Sequence, residues 1–95
     1  MNNLTLVDLF LNEYWIEKGL SENTVQSYRL DLTALCDWLD KQNLSLETLE
    51  PLDLQQFLGS RLEQGYKATS TARMLSAMRK LFQYLYREKY RTDDP

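Results

Sequence analysis

Six polar side chains near the C-terminal end of the chain recur at helical spacing and could together bind DNA. At ~100° per residue they lie within roughly 40° of one line along a helix. Arginine, lysine, serine, threonine and glutamine donate hydrogen bonds to phosphates and to base edges. The spacing therefore predicts a helix face suited to a DNA groove. Its members are Thr69, Arg73, Ser76, Lys80, Gln83 and Arg87.

The opposite side of the same helix is apolar, which predicts that it is buried. Its members are Met74, Leu75, Met78, Leu81, Phe82 and Leu85. A solvated surface is the ordinary interpretation of the basic residues on such a two-sided helix. From these residues alone, that interpretation is the favoured one.

Charge is divided unevenly along a chain whose net charge is −3. Residues 1–65 hold four basic and eleven acidic residues, a net of −7, and residues 66–95 hold seven basic and three acidic residues, a net of +4. Exposed charges farther apart than ~8–10 Å are largely screened from one another. The local excess of positive charge therefore matters more than the negative total, and it favours an anionic partner.

Several kinds of chemistry lack the residues that they need. The chain has no histidine, and Cys36 with scattered carboxylates is a poor ligand set for zinc, so we expect no metal and no cofactor. It has no glycine-rich phosphate loop and no side chain that acts as a base at neutral pH. We therefore expect neither catalysis nor a small-molecule ligand. The single cysteine and the lack of a signal peptide or membrane-length apolar run predict a cytoplasmic protein without a membrane partner.

Four helices are expected, at about 5–18, 22–42, 51–64 and 69–89, which makes the domain all-α. Thr5 and Ser21 are the expected N-caps of the first two helices, and Gly19 follows the first. Pro51 suits the first position of the third helix. The fourth begins at Thr69 or Ser70 and frays near Lys89.

The apolar spacing also predicts which residues are buried. The second helix should bury Val25, Tyr28, Leu32, Leu35 and Leu39 beside Cys36, and the third should bury Leu54, Phe57, Leu58 and Leu62. The first helix is apolar around much of its circumference. We expect deep burial to account for this, the alternative being that Leu11 and Trp15 meet a partner subunit.

Two segments resemble a known family. ENTVQSYRLDL at 22–32 is similar to the second helix of the N-terminal core-binding domain of tyrosine site-specific recombinases. Residues 65–95, with KATSTAR at 67–73 and LFQYLYREK at 81–89, closely resemble the XerD branch. The resemblance covers essentially the whole chain. It implies a SAM-like four-helix orthogonal bundle over residues 1–90, with residues 91–95 starting a linker to a catalytic domain outside this chain.

The resemblance also implies a function and partners. Such domains clamp one face of a double-stranded recombination core site during chromosome dimer resolution, beside related recombinase subunits in a synaptic tetramer. The catalytic residues belong to the second domain, so no tyrosine here is expected to be the nucleophile. Tyr84 and Tyr86 are expected to be packing or rim residues of the fourth helix.

In this family the second and fourth helices face the major groove, which gives a candidate site. Arg73 is expected to contact a base edge, and hydroxyl groups are expected to bond phosphates. Asp31 and Asp37 are expected to point partly outward, so that only the N-terminal turn of the second helix approaches DNA. The candidate residues are Asn23, Thr24, Ser27, Arg29, Lys67, Thr69, Ser70, Arg73, Ser76, Arg79 and Lys80, of which Lys67, Arg79 and Lys80 are expected phosphate clamps.

A second class of function stays open at this point. An acidic N-terminal half and an apolar first helix are also compatible with a protein–protein docking module of a helical integrase-type assembly. The two functions can coexist, because subunits of this family meet one another on DNA.

Overall fold

The computed structural model describes residues 2–94, in which all four regular elements are α-helices. The all-α prediction is therefore confirmed. The chain forms two compact units, one ending at Leu46 and the other beginning at Glu47. The first holds α1 and α2 and the second α3 and α4, with bounds Asn3–Lys18, Glu22–Lys41, Pro51–Glu63 and Ala68–Arg87.

The start of α1 lies two residues before the predicted one. Asn2 is the N-cap, and its side-chain oxygen accepts a hydrogen bond from the backbone N–H of Thr5 at 2.8 Å. Thr5 as N-cap is therefore wrong, because asparagine is the stronger capping residue and precedes it. Ser21 caps α2 as predicted, with its hydroxyl accepting from the N–H of Thr24 at 3.2 Å.

A buried side chain at the first position of α1 holds the two helices of the first unit together. Asn3 donates from Nδ2 to Asp40 Oδ1 at 3.0 Å and to the Leu44 carbonyl at 3.1 Å. Its Oδ1 accepts from the N–H of Leu46 at 2.8 Å. The beginning of α1 thus lies beside the end of α2, so the two helices run antiparallel.

All four helices end with one residue in the left-handed conformation: Gly19 (φ 60°) ends α1, and the residues that end the other three share one hydrogen-bond pattern. These residues are Asn43 (φ 57°), Gly65 (φ 87°) and Lys89 (φ 65°). After each of them the next N–H bonds back to a carbonyl in the last turn of the helix, which is the Schellman arrangement. The bonds are Leu44 to Leu39 at 2.8 Å, Tyr66 to Arg61 at 3.2 Å and Tyr90 to Leu85 at 2.8 Å.

Burial in the first unit follows the predicted pattern except at two residues of α2, Tyr28 and Asp31. Val25, Leu32, Leu35, Cys36 and Leu39 of α2 are buried, and Tyr28 is partly buried. Asp31 is buried too, so the expectation that it points outward is wrong. In α1, Leu11 is fully buried, which removes it from any partner surface. Trp15 and Ile16 remain 43% and 80% exposed.

In the second unit the predicted apolar stripe of α4 is buried, but in α3 a residue predicted to be buried is exposed and its neighbour is buried instead. Every member of the stripe is buried except the half-buried Leu75, and Ala77 and Tyr84 join it. Tyr86 lies exposed at the rim. In α3 Phe57 is buried, whereas Leu62 is 60% exposed and its neighbour Arg61 is buried instead. The prediction for Leu62 is therefore wrong.

The segment after α4 is anchored to the start of the same unit. Arg91 donates from Nη2 to the Leu49 carbonyl at 2.7 Å and to Asp93 Oδ1 at 3.1 Å. Its side chain is only 3% exposed. The domain boundary at residue 90 stays a prediction, and Pro95, the last residue of the expected linker, lies outside the described residues.

Candidate nucleic-acid interface

The exposed face of α4 carries cations and no acid. Its 20 residues include four basic and no acidic side chains. Thr69, Arg73 and Gln83 are exposed, whereas Ser76 and Lys80 are half-buried. Lys80 Nζ donates to Ser76 Oγ at 2.9 Å, which holds the ammonium group against the helix one turn back. The structure thus brings the predicted polar face together as one cationic surface.

The N-terminal end of α4 is open toward an anion. Lys67 is the N-cap in extended conformation (φ −70°, ψ 153°) and makes no side-chain capping bond. The first turn contains no acidic residue. The first N–H groups of a helix have no intrahelical acceptor, and the helix dipole adds partial positive charge there. Beside these N–H groups the sequence places Lys67, Thr69 and Ser70, whose ammonium and hydroxyl groups suit a phosphate.

A buried arginine fixes the loop that leads into this end. The guanidinium of Arg61 lies 4.0 Å from the ring centroid of Tyr66 and 5.9 Å from that of Phe57. Arg61 is 6% exposed, and its Nε atom donates no hydrogen bond within residues 2–94. The two aromatic rings lie within cation–π distance of this buried guanidinium, and cation–π attraction is strongest in such desolvated positions. Together with the bond from Tyr66 N–H to the Arg61 carbonyl, this stack positions Lys67.

Arg79 lies apart from the other predicted residues of α4. Its position on the helix is roughly 80° from the centre of the polar line. It lines an open cavity of about 390 Å³ whose other walls are mostly apolar. The remaining lining residues are Leu54, Leu58, Leu75, Met78, Phe82, Gln83 and Asp94. Arg79 thus reaches the margin of the cationic face rather than its centre.

The candidate residues of α2 fall on different sides of that helix. Asn23 and Ser27 share one side, which also exposes Leu30 at 72%. Thr24 is engaged in the cap, with its hydroxyl 2.9 Å from that of Ser21. Arg29 is half-exposed and forms an ion pair with Asp8 of α1. Only Asn23 and Ser27 therefore form a common surface.

Comparison with known proteins identifies the family. Residues 7–89 match the family described as phage integrase, N-terminal SAM-like domain. The chain belongs to this family. Over all 95 residues it is 87% identical to a protein of Haemophilus influenzae and 74% identical to one of Pasteurella multocida, in each case covering 32% of that protein. A Yersinia pestis protein is 61% identical over 90 residues, which are 95% of this chain and 30% of that protein.

All three relatives carry the name tyrosine recombinase XerD, which confirms the resemblance drawn from residues 22–32 and 65–95. The SAM-like class of the fold is confirmed with it. The chain spans about a third of the length of these relatives. It therefore corresponds to the N-terminal, SAM-like part of proteins about three times as long.

Sequence reasoning missed one residue of this integrase-type domain, Arg61. The signal available was an arginine in the last turn of α3, followed by the helix-ending Gly65 and an aromatic residue. In a Schellman ending, the residues at the positions of Arg61 and Tyr66 commonly touch. Here a guanidinium and a phenol ring replace the usual pair of apolar side chains.

The thiol of Cys36 and the carboxylates are the side chains that bear on nucleophilic reactivity and metal binding. Burial raises the pKa of the Cys36 thiol to about 12, and the carboxylates of Asp40 and Asp37 add to the effect. A thiol in such surroundings is a weak nucleophile. No group of three or more cysteine, aspartate or glutamate side chains in residues 2–94 is placed to hold a metal ion. Over the same residues, no helix combines the length and apolarity that crossing a membrane requires.

Proposed function

We propose that this chain is the DNA-binding N-terminal domain of a XerD-type tyrosine recombinase, and that α4 enters the major groove of its recombination core site. The observation that carries the proposal is the cationic face of α4, which is free of acids and lies opposite a buried stripe. Membership of the integrase family supports it.

The length of the cationic face fits the groove. Arg73 and Lys80 are seven residues apart, about 10 Å along the helix axis. The major groove of B-DNA is about 12 Å wide. Arg73 would contact a base edge, where a bidentate arginine contact discriminates bases by about 1–3 kcal/mol. Lys80 would meet the phosphates at the groove wall together with Ser76, and Arg79 would reach phosphates from the margin.

The N-terminal end of α4 would bind a phosphate beside the groove. The unpaired N–H groups of its first turn and the helix dipole favour an anion there. Lys67 would supply the charge, and Thr69 and Ser70 would supply hydroxyl donors. These contacts orient a protein on DNA without distinguishing bases.

For α2 we propose a smaller part in binding. Asn23 and Ser27 share a surface and would approach DNA with the first turn of the helix, where Thr24 already serves the cap. Arg29 forms an ion pair with Asp8 and would contact a phosphate only after that pair breaks. Its contribution is therefore smaller than that of an unpaired arginine.

The names of the relatives support a wider proposal for the whole protein. The domain would clamp one face of the core site during chromosome dimer resolution, in the cytoplasm, beside related subunits in a synaptic tetramer. Breakage and rejoining of DNA would be carried out by a catalytic domain, joined through a linker that begins near residue 91.

Charge reversal on α4 tests the proposal. The double variant Arg73→Glu/Lys80→Glu should lose at least two contacts to DNA. The phosphate contact of Lys80 is worth about eightfold in affinity at 0.1 M salt, and the base-edge contact of Arg73 is worth about 1–3 kcal/mol of discrimination between the two duplexes. NMR titration of the labelled chain with a core half-site duplex and a scrambled duplex measures this. The unaltered chain should shift at residues 67–80 and 23–29, with a slope near −4 for ~4–5 phosphates.

A matched variant separates local contacts from total charge. Lys18→Glu/Lys41→Glu makes the same change in charge at the exposed last residues of α1 and α2, outside the proposed interface. It should retain most of the affinity. Equal loss in both double variants, or no loss in either, would show that α4 is not the DNA-binding element.

A docking function is the second candidate, and the exposed apolar side chains of α1 favour it. Trp15 and Ile16 are 43% and 80% exposed at the end of α1. The same titration separates the two functions. Concentration-dependent shifts at residues 15–16 without DNA, together with affinity that is indifferent to the α4 reversals, would favour docking.

A further inference from the structure

The C-terminal end of α4 leads into a second cationic surface. An open cavity of about 450 Å³ lies where the chain leaves the helix. Three cations and two hydroxyl groups line it, and no acidic side chain does. The lining residues are Tyr86, Arg87, Lys89, Arg91 and Thr92. We call these five residues the exit pocket.

We propose that the exit pocket binds a backbone phosphate of duplex DNA. The inference rests on the proposed function, in which the middle of α4 enters the major groove. It adds a phosphate site to the residues already assigned.

The length of α4 is compatible with a contact of this kind. Its 20 residues extend about 30 Å, whereas the major groove is about 12 Å wide. If the segment from Arg73 to Lys80 occupies the groove at an angle to its direction, both ends of the helix come near the flanking phosphate backbones. The N-terminal end can use its own N–H groups and dipole. The C-terminal end has the opposite dipole and repels anions, so a phosphate there needs cationic side chains.

The conformation of Lys89 is the second observation. Its φ of 65° places a lysine in the left-handed region that ends the helix, where glycine is the residue without steric cost. Gly65 occupies the equivalent position after α3. Strained residues of this kind cluster at functional sites. An exposed ammonium group at a position that favours glycine indicates that the side chain itself has a use.

The three cations of the exit pocket differ in the contacts that they already make. Arg87 Nε is 3.7 Å from Glu88 Oε2, and both side chains are substantially exposed, so solvent weakens that pair. Arg91 is bonded to the Leu49 carbonyl and to Asp93, and it forms a fixed wall of the pocket. Lys89, which is exposed, would therefore be the principal ligand of the phosphate.

The decisive variant is Lys89→Gly, because it should weaken DNA binding without weakening the fold. Loss of one phosphate contact lowers affinity by about eightfold at 0.1 M salt and reduces the magnitude of the log–log slope by about 0.9. Core-site and scrambled duplexes should be affected equally, because phosphate contacts carry no sequence information. The melting temperature should stay the same or rise, because glycine tolerates positive φ. Lys89→Arg should retain the affinity.

Two control variants isolate the charge at residue 89 from its backbone conformation. Asn43→Gly likewise introduces glycine at the left-handed position after α2, where φ is 57°. Lys41→Gln removes one positive charge from the first unit. Neither should change DNA affinity or the salt slope. Each is titrated beside Lys89→Gly with the same duplexes.

The outcomes distinguish this inference from the proposed function. If Arg73→Glu/Lys80→Glu abolishes binding while Lys89→Gly matches the unaltered chain in affinity or slope, the exit pocket does not bind phosphate. An unaltered chain that binds neither duplex at low salt would instead overturn the proposed function. An eightfold loss for Lys89→Gly that is restored by Lys89→Arg establishes the pocket.

Discussion

Replacing Asn3 by alanine tests whether one side chain holds the first unit together. Asn3 is buried and makes three hydrogen bonds, of 3.0, 3.1 and 2.8 Å, to Asp40, Leu44 and Leu46. At about 1 kcal/mol for each bond, the free energy of unfolding should fall by about 3 kcal/mol. Domains of this size have about 5–15 kcal/mol in total, so the loss is a large fraction.

Thermal and urea unfolding followed by circular dichroism at 222 nm measure the change. A loss of about 3 kcal/mol lowers the melting temperature of a domain of this size by roughly 12–24 °C. Two variants of the same helix provide the scale. Asn2→Ala removes the single capping bond and should cost about 1 kcal/mol. Asn12→Ala, at an exposed position, should change stability by no more than about 0.5 kcal/mol.

The reasoning fails if Asn3→Ala costs no more than Asn2→Ala. In that case the three bonds would be replaced equally well by bonds to water, and the packing of α1 on α2 would depend on apolar contacts alone. A loss near 3 kcal/mol with an unchanged urea m-value would show that the bonds stabilise the native state.

Two further predictions concern the second unit and the buried thiol. Arg61→Gln should lower the free energy of unfolding by about 1–2 kcal/mol, because the stack of the guanidinium on Tyr66 is lost. It should also speed hydrogen exchange at the Tyr66 amide. An exchange rate equal to that of the unaltered chain would contradict the proposal that Arg61 positions this loop. Because burial raises the pKa of Cys36 to about 12, its contribution to stability is present below the unfolded thiol pKa of about 8.5 and is lost as pH rises from about 9 to 12. Cys36→Ala should therefore lose less stability than the unaltered chain between pH 8 and 10 in urea titrations, and equal losses would argue against the shift.

Local signals in the sequence were sufficient to predict most helix boundaries. Ser21, Gly19 and Pro51 act at fixed positions relative to a helix end, so each marks its boundary without tertiary information. The beginning of α1 differs from the prediction because two capping residues, Asn2 and Thr5, compete there. The bonds of Asn3 to α2 and the following loop favour the earlier start, and a sequence does not display such bonds.

The errors in burial arose where a polar side chain took an apolar position. Arg61 and Leu62 are adjacent, and spacing alone favours the leucine. The rings of Phe57 and Tyr66 bury the arginine instead, which depends on how the loop after α3 folds back. Asp31 differs from its prediction in the same way, because charged residues are ordinarily exposed and this one is buried.

Helical spacing predicts which side of α4 is cationic, but it does not predict two features of that surface. Lysine has no acceptor for a capping bond, so the open end of α4 depends on the helix beginning at Ala68, which makes Lys67 the N-cap. The left-handed conformation of Lys89 is equally invisible in the sequence, since lysine is not a usual helix-ending residue. Both bear directly on where anions would bind.

The bond between Arg91 and Leu49 also has a consequence for the order in which the chain folds. It joins residues 42 positions apart and closes a loop that contains both helices of the second unit. Contacts across so many residues form only after the intervening chain is compact, because loop closure costs entropy. We therefore expect this bond to form late in folding and to break early in unfolding. Local opening of the second unit would then begin at residues 91–94, beside the exit pocket.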